Sequence, residues 1–219
     1  MFAGIGEQLP LATGISAEKV DKLQELVDTL AGFIDVGYPV KVRVVDSDTI
    51  NAFAFPGGSI VVFSGLLNKI KSENGLAFIL AHELAHFKNR DHLRGMGRGI
   101  VLAVISTIIT GADSGVSRML APTSAFGMAQ YSQKRESAAD DSALAALACC
   151  YGHVGGATDL FEVLRADGIG EDSSTLSGYF ASHPQVQKRI ADLKKLAGER
   201  GYSFGAVRSI SFQVKSKNK

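Results

Sequence analysis

Residues 72–88 read Ser-Glu-Asn-Gly-Leu-Ala-Phe-Ile-Leu-Ala-His-Glu-Leu-Ala-His-Phe-Lys. Ser72 suits a helix N-cap, and Glu73 suits the first turn, where the amide dipoles favour negative charge. Leu76, Ile79, Leu80 and Leu84 supply apolar packing, so a helix is predicted, with His82 and His86 sharing another face. Residues four apart on a helix are separated by about 6 Å of rise and roughly 40° of rotation. Both imidazoles can then reach one metal ion. Glu83 follows the first histidine and can contact a water on that metal. The pattern points to a zinc-dependent hydrolase, most often a peptidase. A chance match on a surface helix is the plain alternative, and the rest of the chain decides.

The chain has 219 residues, enough for one domain (1–219) with a sizeable core. At 46% hydrophobic and 21% charged it reads as globular rather than disordered. A net charge of +1 gives no sign of a nucleic-acid surface. Cys149 and Cys150 are adjacent, which excludes a disulfide framework and suits helix packing better than metal ligation. The start lacks a basic stretch followed by a long apolar one, which fits either a cytoplasmic protein or one whose export signal has been trimmed. The most apolar run, Gly99 to Thr110, is too short to span a bilayer. It reads as a buried helix, with membrane-periphery or oligomer contact as the other option.

Upstream of the motif, Ser16 to Ile34 has helical apolar spacing. Strands are predicted at Val40–Val45, Thr49–Phe55 and Ser59–Phe63, the last apolar enough to be central, with Pro56-Gly57-Gly58 as a turn and Ser64-Gly65 as the end. Downstream, helices are predicted from Asp91 onwards, over Tyr131–Cys150, Asp159–Arg165 and Gln185–Leu196. Polar loops are expected at 111–115 and 167–178, and Val207–Val214 alternates like a late strand. A helical bulk around a small three-stranded sheet is an α+β fold.

A catalytic zinc usually takes three protein ligands and leaves one position open. Two residues compete for the third place. Glu136 and Asp140 share a helix face, so Glu136 can ligate while Asp140 accepts a hydrogen bond from the far nitrogen of a ligating histidine, His82 for preference. Ala138 and Ala139 are small and would let two helices approach closely. His92 is the other candidate, six residues after His86, as in metzincins; those place glycine midway, where this chain has Asn89. Asn51-Ala52-Phe53-Ala54, running into Phe55 and the turn, reads as an edge strand to which a peptide can add.

Asn51-Ala-Phe-Ala-Phe-Pro-Gly-Gly58, His82-Glu-Leu-Ala-His86, Glu136-Ser-Ala-Ala-Asp140 and Ser182-His183-Pro184, in this order, resemble the gluzincins grouped with the CAAX prenyl proteases and the HtpX, Oma-type and BepA-type peptidases. The resemblance spans roughly residues 40–195. It implies a zincin-like fold, one zinc ion held by His82, His86 and Glu136, and Glu83 as general base. Arg90 and His92 match a stretch usual after the second histidine in that family. His183 would lie at the cleft, donating to the developing oxyanion or occupying the open zinc position at rest. Arg189 would buttress the site or pair with an acid, and Tyr131 and Tyr179 are further oxyanion candidates. The resemblance favours soluble envelope members, and so polypeptide substrates of the cell envelope or periplasm. The alternatives are a catalytically silent zinc-stabilised module that holds unfolded chains, a metzincin-type site with His92, and a latent enzyme gated by 111–130 or 167–178.

Overall fold

The computed structural model describes residues 12–55, 57–91, 133–166, 183, 186–212 and 214. Described helices are α1 (Ala17–Ile34), α2 (Ser64–Lys69), α3 (Glu73–Lys88), α4 (Gln133–Tyr151), α5 (Asp159–Ala166) and α6 (Val186–Glu199). The strands are β1 (Lys41–Val45), β2 (Ala52–Phe55) and β3 (Ser59–Phe63). The fold is α+β: mostly helical, with a mixed three-stranded sheet ordered β1-β3-β2. β3 is central, parallel to β1 and antiparallel to β2, and all five of its residues are buried.

The turn at 57–58 works because Gly57 and Gly58 both take positive φ (103° and 82°), which L side chains rarely adopt. A Cβ on Gly58 would also stand 3.1 Å from the Pro39 carbonyl. The two outer edges of the sheet differ. Gln24 of α1 covers β1's edge, its amide donating to the Val40 carbonyl and accepting from Val42 N–H, while Ala12 N–H donates to Val44 O. β2's outer edge turns instead toward α3. Phe63 N–H donates to Asn51 O, so in this register Asn51, Phe53 and Phe55 face β3 and the backbone groups of Ala52 and Ala54 point outward.

α3 is the centre of the molecule. Ser72 caps it, accepting from Gly75 N–H at 2.9 Å, and also donates to Asp159 at the head of α5. His82 and His86 share one face as expected, but that face is covered as well: every residue from Asn74 to Phe87 is buried. α1 and the sheet cover one side and α4 the other, so the helix has no solvent face. α4 turns Glu136, Ala139, Asp140, Ala143 and Leu147 inward. Ala139 is buried as expected, but Ala138 faces solvent. Cys149 is exposed, and only Cys150 packs partly against the core.

Some expected elements are displaced. β2 begins at Ala52 rather than at residue 49, and Ser64-Gly65, which ends β3 as expected, also opens a helix. A Cβ on Gly65 would stand 2.4 Å from the Asp48 carbonyl, so glycine here serves a close approach. Stretch 207–214 is not a strand; among the described residues it makes one bridge, Ser209 with Ser72. Its partners are helix ends: Arg208 O accepts from Glu73 N–H, Ile210 N–H donates to Lys71 O, and Val214 pairs with the Asn68 side chain. It straps the start of α3 in place. Among the described residues no helix is long and apolar enough to cross a membrane, and the run 99–110 lies outside them.

The tight α3–α4 packing predicts that Ala143→Leu, at a fully buried position, costs about 1–3 kcal/mol through overpacking. A urea midpoint lower than that of the parent chain, with unchanged slope, is the expected result.

Candidate metal centre and active site

His82, His86, Glu136 and His183 each bring a ligand atom to one place, all within 4.8 Å of one another, and all four are buried. α3 contributes the first two and α4 the third, while His183 stands just ahead of α6. His82 and His86 both turn Nε2 inward, 3.0 Å apart. The Glu136 carboxylate lies 3.5 Å from His82 Nε2 and 3.3 Å from His86 Nε2. Two donors bound about 2.1 Å from a tetrahedral ion stand about 3.4 Å from each other. The three separations scatter around that value, so the donor set fits a zinc-sized ion. His183 Nδ1 approaches the same point, 3.2 Å from His82 Nε2 and 3.1 Å from Glu136.

The outward nitrogens are also engaged. His82 Nδ1 is 2.9 Å from Asp140 Oδ1, the contact expected from the Glu136/Asp140 spacing. Arg189 in turn holds Asp140 through Nε at 3.0 Å and a terminal nitrogen at 2.5 Å, and reaches Glu136 at 3.0 Å. Its guanidinium lies over the Phe161 ring, 4.8 Å from the centroid. Of the two roles expected for Arg189, buttress and ion-pair partner, it fills both positions at once.

Glu83 is fully buried next to the cluster. Its Oε2 accepts from Ala54 N–H of the edge strand at 2.9 Å, and its Oε1 lies 3.3 Å from His183 Nε2. Asn51 is buried and its side chain accepts from Ala52 N–H, so it caps the start of β2. Phe53 is half-buried between Phe55 and Phe63.

The charges are mutually dependent. Burial pushes Glu136 up, but His183 and His82 outweigh it and hold its carboxyl well below the usual carboxylate range. Burial also opposes ionisation of Glu83 and Asp140; His183 lowers the first and Arg189 the second, with a net downward shift in each. Burial disfavours a charged His183, yet Glu136 and Glu83 raise it to about 9. Burial lowers His86, but hydrogen bonds that its ring donates to Asp91 and Glu136 outweigh it and raise it. The carboxylates thus demand positive charge at the point where the inward nitrogens converge, which is what a divalent cation supplies.

Two residues escaped the sequence reading. Asp91 is buried with Oδ2 3.1 Å from His86 Nδ1, and Arg135 Nε lies 3.3 Å from Asp91 Oδ1. The sequence placed Asp91 at the start of another helix. The spacing of five from His86 is not a helical one, and it works because Arg90 takes a left-handed φ of 55° and turns the chain back. Asn89, weighed as the metzincin turn, is right-handed at φ −78°. His92, Tyr131, Tyr179 and the loops 111–130 and 167–178 lie outside the described residues.

Residues 17–197 match the family described as Peptidase family M48. The chain belongs to this family. It is similar to a mitochondrial metalloendopeptidase OMA1 of Arabidopsis thaliana, 32% identical over 70% of this chain and 30% of the relative. It is similar too to a protease HtpX homolog of Salinibacter ruber, 30% identical over 85% of this chain and 78% of that one. A putative beta-barrel assembly-enhancing protease of Vibrio cholerae is 29% identical over 80% of this chain and 39% of its own length. The chain therefore spans less than half of two of these three relatives.

The donor cluster predicts one zinc ion per chain after dialysis, read by inductively coupled plasma mass spectrometry. His86→Ala and Glu136→Ala should each fall well below 0.5 equivalents under the same dialysis, about a hundredfold or more in affinity, if each removes one of three donors.

Proposed function

We propose that the chain is a zinc-dependent metalloendopeptidase that cuts polypeptides, holding one zinc ion through His82, His86 and Glu136. The observation that carries this is the fully buried Glu83 carboxylate set between the donor cluster and the outward N–H of Ala54. A site that only stabilised a fold would have no use for a second buried carboxylate there. When bound, zinc polarises the scissile carbonyl and acidifies the attacking water. Glu83 takes the water proton and passes it to the leaving amine. Ala54 N–H fixes one carboxylate oxygen and leaves the other toward His183. His183 Nδ1 stands beside the donor set; protonated there, it would donate toward the charge developing on the carbonyl oxygen, and neutral it would fill the open metal position instead. Asp140 holds His82 in the tautomer with Nδ1–H outward and Nε2 toward the metal.

The substrate lies along β2. β1's edge is covered by Gln24 and Ala12, whereas the outward groups of Ala52 and Ala54 line the side that meets Glu83. Asn51 and Glu83 already hold the Ala52 and Ala54 N–H groups, so a peptide added as a strand there would pair through the outward carbonyls of those residues and bring its own backbone carbonyl past the cluster. Main-chain pairing of this kind reads extended polypeptide rather than one side-chain sequence, which suits unfolded protein substrates. The V. cholerae relative is named as a putative beta-barrel assembly-enhancing protease, and on that likeness we take envelope proteins as the substrates and the cell envelope as the compartment. The described elements share one hydrophobic core, which supports a single peptidase domain over 1–219.

Glu83→Gln should keep its zinc and lose casein cleavage by about 10²–10⁴-fold, the usual worth of a positioned base. Cleavage at the parent rate would remove Glu83 from the mechanism. A parent chain that binds zinc and denatured casein but cuts nothing would favour the silent binding module.

A further inference from the structure

The two histidines of α3 are each backed by a carboxylate and an arginine. His82 turns Nδ1 to Asp140, which buried Arg189 holds by two hydrogen bonds; His86 turns Nδ1 to Asp91, which the partly exposed Arg135 meets through one Nε contact at 3.3 Å. Both histidines offer Nε2 inward. An imidazole that binds a metal through Nε2 must carry its proton on Nδ1, and a carboxylate on that side fixes both tautomer and ring plane. Asp91 is 2% exposed, so its oxygens are committed to these contacts rather than to bulk water.

We propose that Asp91 is the positioning residue of His86, contacted by Arg135, and forms with Asp140 and Arg189 a pair of carboxylate–arginine supports for the two histidines. This rests on the zinc-peptidase reading. The support has an unusual local origin. α3 ends at Lys88, and the left-handed turn at Arg90 swings Asp91 beneath the last turn of the same helix that carries His86. Arg135 comes from the first turn of α4, one residue before Glu136. One ion pair thus ties the end of α3 to the start of α4 beside two of the three proposed ligands. Loss of Asp91 would free the His86 ring to rotate and to place its proton on Nε2, where it blocks metal binding.

The test uses the zinc-loaded full chain. Zinc release to a chromophoric chelator is measured for the parent, Asp91→Asn, Arg135→Met and, as a surface control, Asp192→Asn. Asp91→Asn should weaken zinc affinity about 10–100-fold, the range found when such a partner is removed, and Arg135→Met several-fold less. Cobalt-substituted Asp91→Asn should show an altered visible spectrum, reporting changed ligand geometry. Thermal unfolding in excess chelator separates a merely structural role: that role predicts a lower metal-free midpoint with parent-like zinc release and cobalt spectrum, which would overturn the proposal. Unchanged zinc affinity in a well-folded Asp91→Asn would overturn it as well. A parent chain that binds no zinc would instead refute the zinc-peptidase reading itself.

Discussion

Holding buried carboxylates together around two helices is the constraint on which this structure depends. Glu83, Glu136 and Asp140 are each at most 5% exposed, and an unpaired buried charge costs several kcal/mol. Each is therefore matched by positive or proton-donating groups: His183 for Glu83, Arg189 and the histidines for Glu136, Arg189 and His82 for Asp140. The elements that supply these groups come from across the chain. α3 must be buried on every side to bring its histidines there, and that requires α1, the sheet and α4 to enclose it. The site is thus part of the core rather than a decoration on it.

That arrangement links charge to chemistry. The cluster draws protons onto His183 and His86 because its carboxylates need a counter-charge. A divalent ion at the convergence of the Nε2 atoms meets the same need with fixed geometry. The sheet adds direction. β1's edge is covered by Gln24, while the outward N–H groups of β2 are held by Asn51 and by Glu83 of α3. Fold, donor cluster and β2 edge converge on a few residues of α3.

The sequence carried much of this because periodic signals were strong. His82 and His86 four apart, and Glu136 and Asp140 four apart, translate directly into shared helix faces. The edge strand was legible as an extended run closed by a turn with two glycines. What escaped depended on contacts that no local pattern encodes. Asp91 reaches His86 only through a left-handed residue at Arg90, a conformation that arginine seldom signals. α2 was hidden because Ser64-Gly65 looks like a strand terminator, whereas Gly65 is there to pass close to Asp48. The alternation at 207–214 was real, but its partners proved to be helix ends rather than a strand.

The most direct test of the account is anomalous diffraction at the zinc edge from crystals of the zinc-loaded protein. The account predicts one strong peak per chain, about 2.0–2.2 Å from Nε2 of His82, Nε2 of His86 and a carboxylate oxygen of Glu136. A peak completed by His92 in place of Glu136, or one lying away from α3, would contradict it.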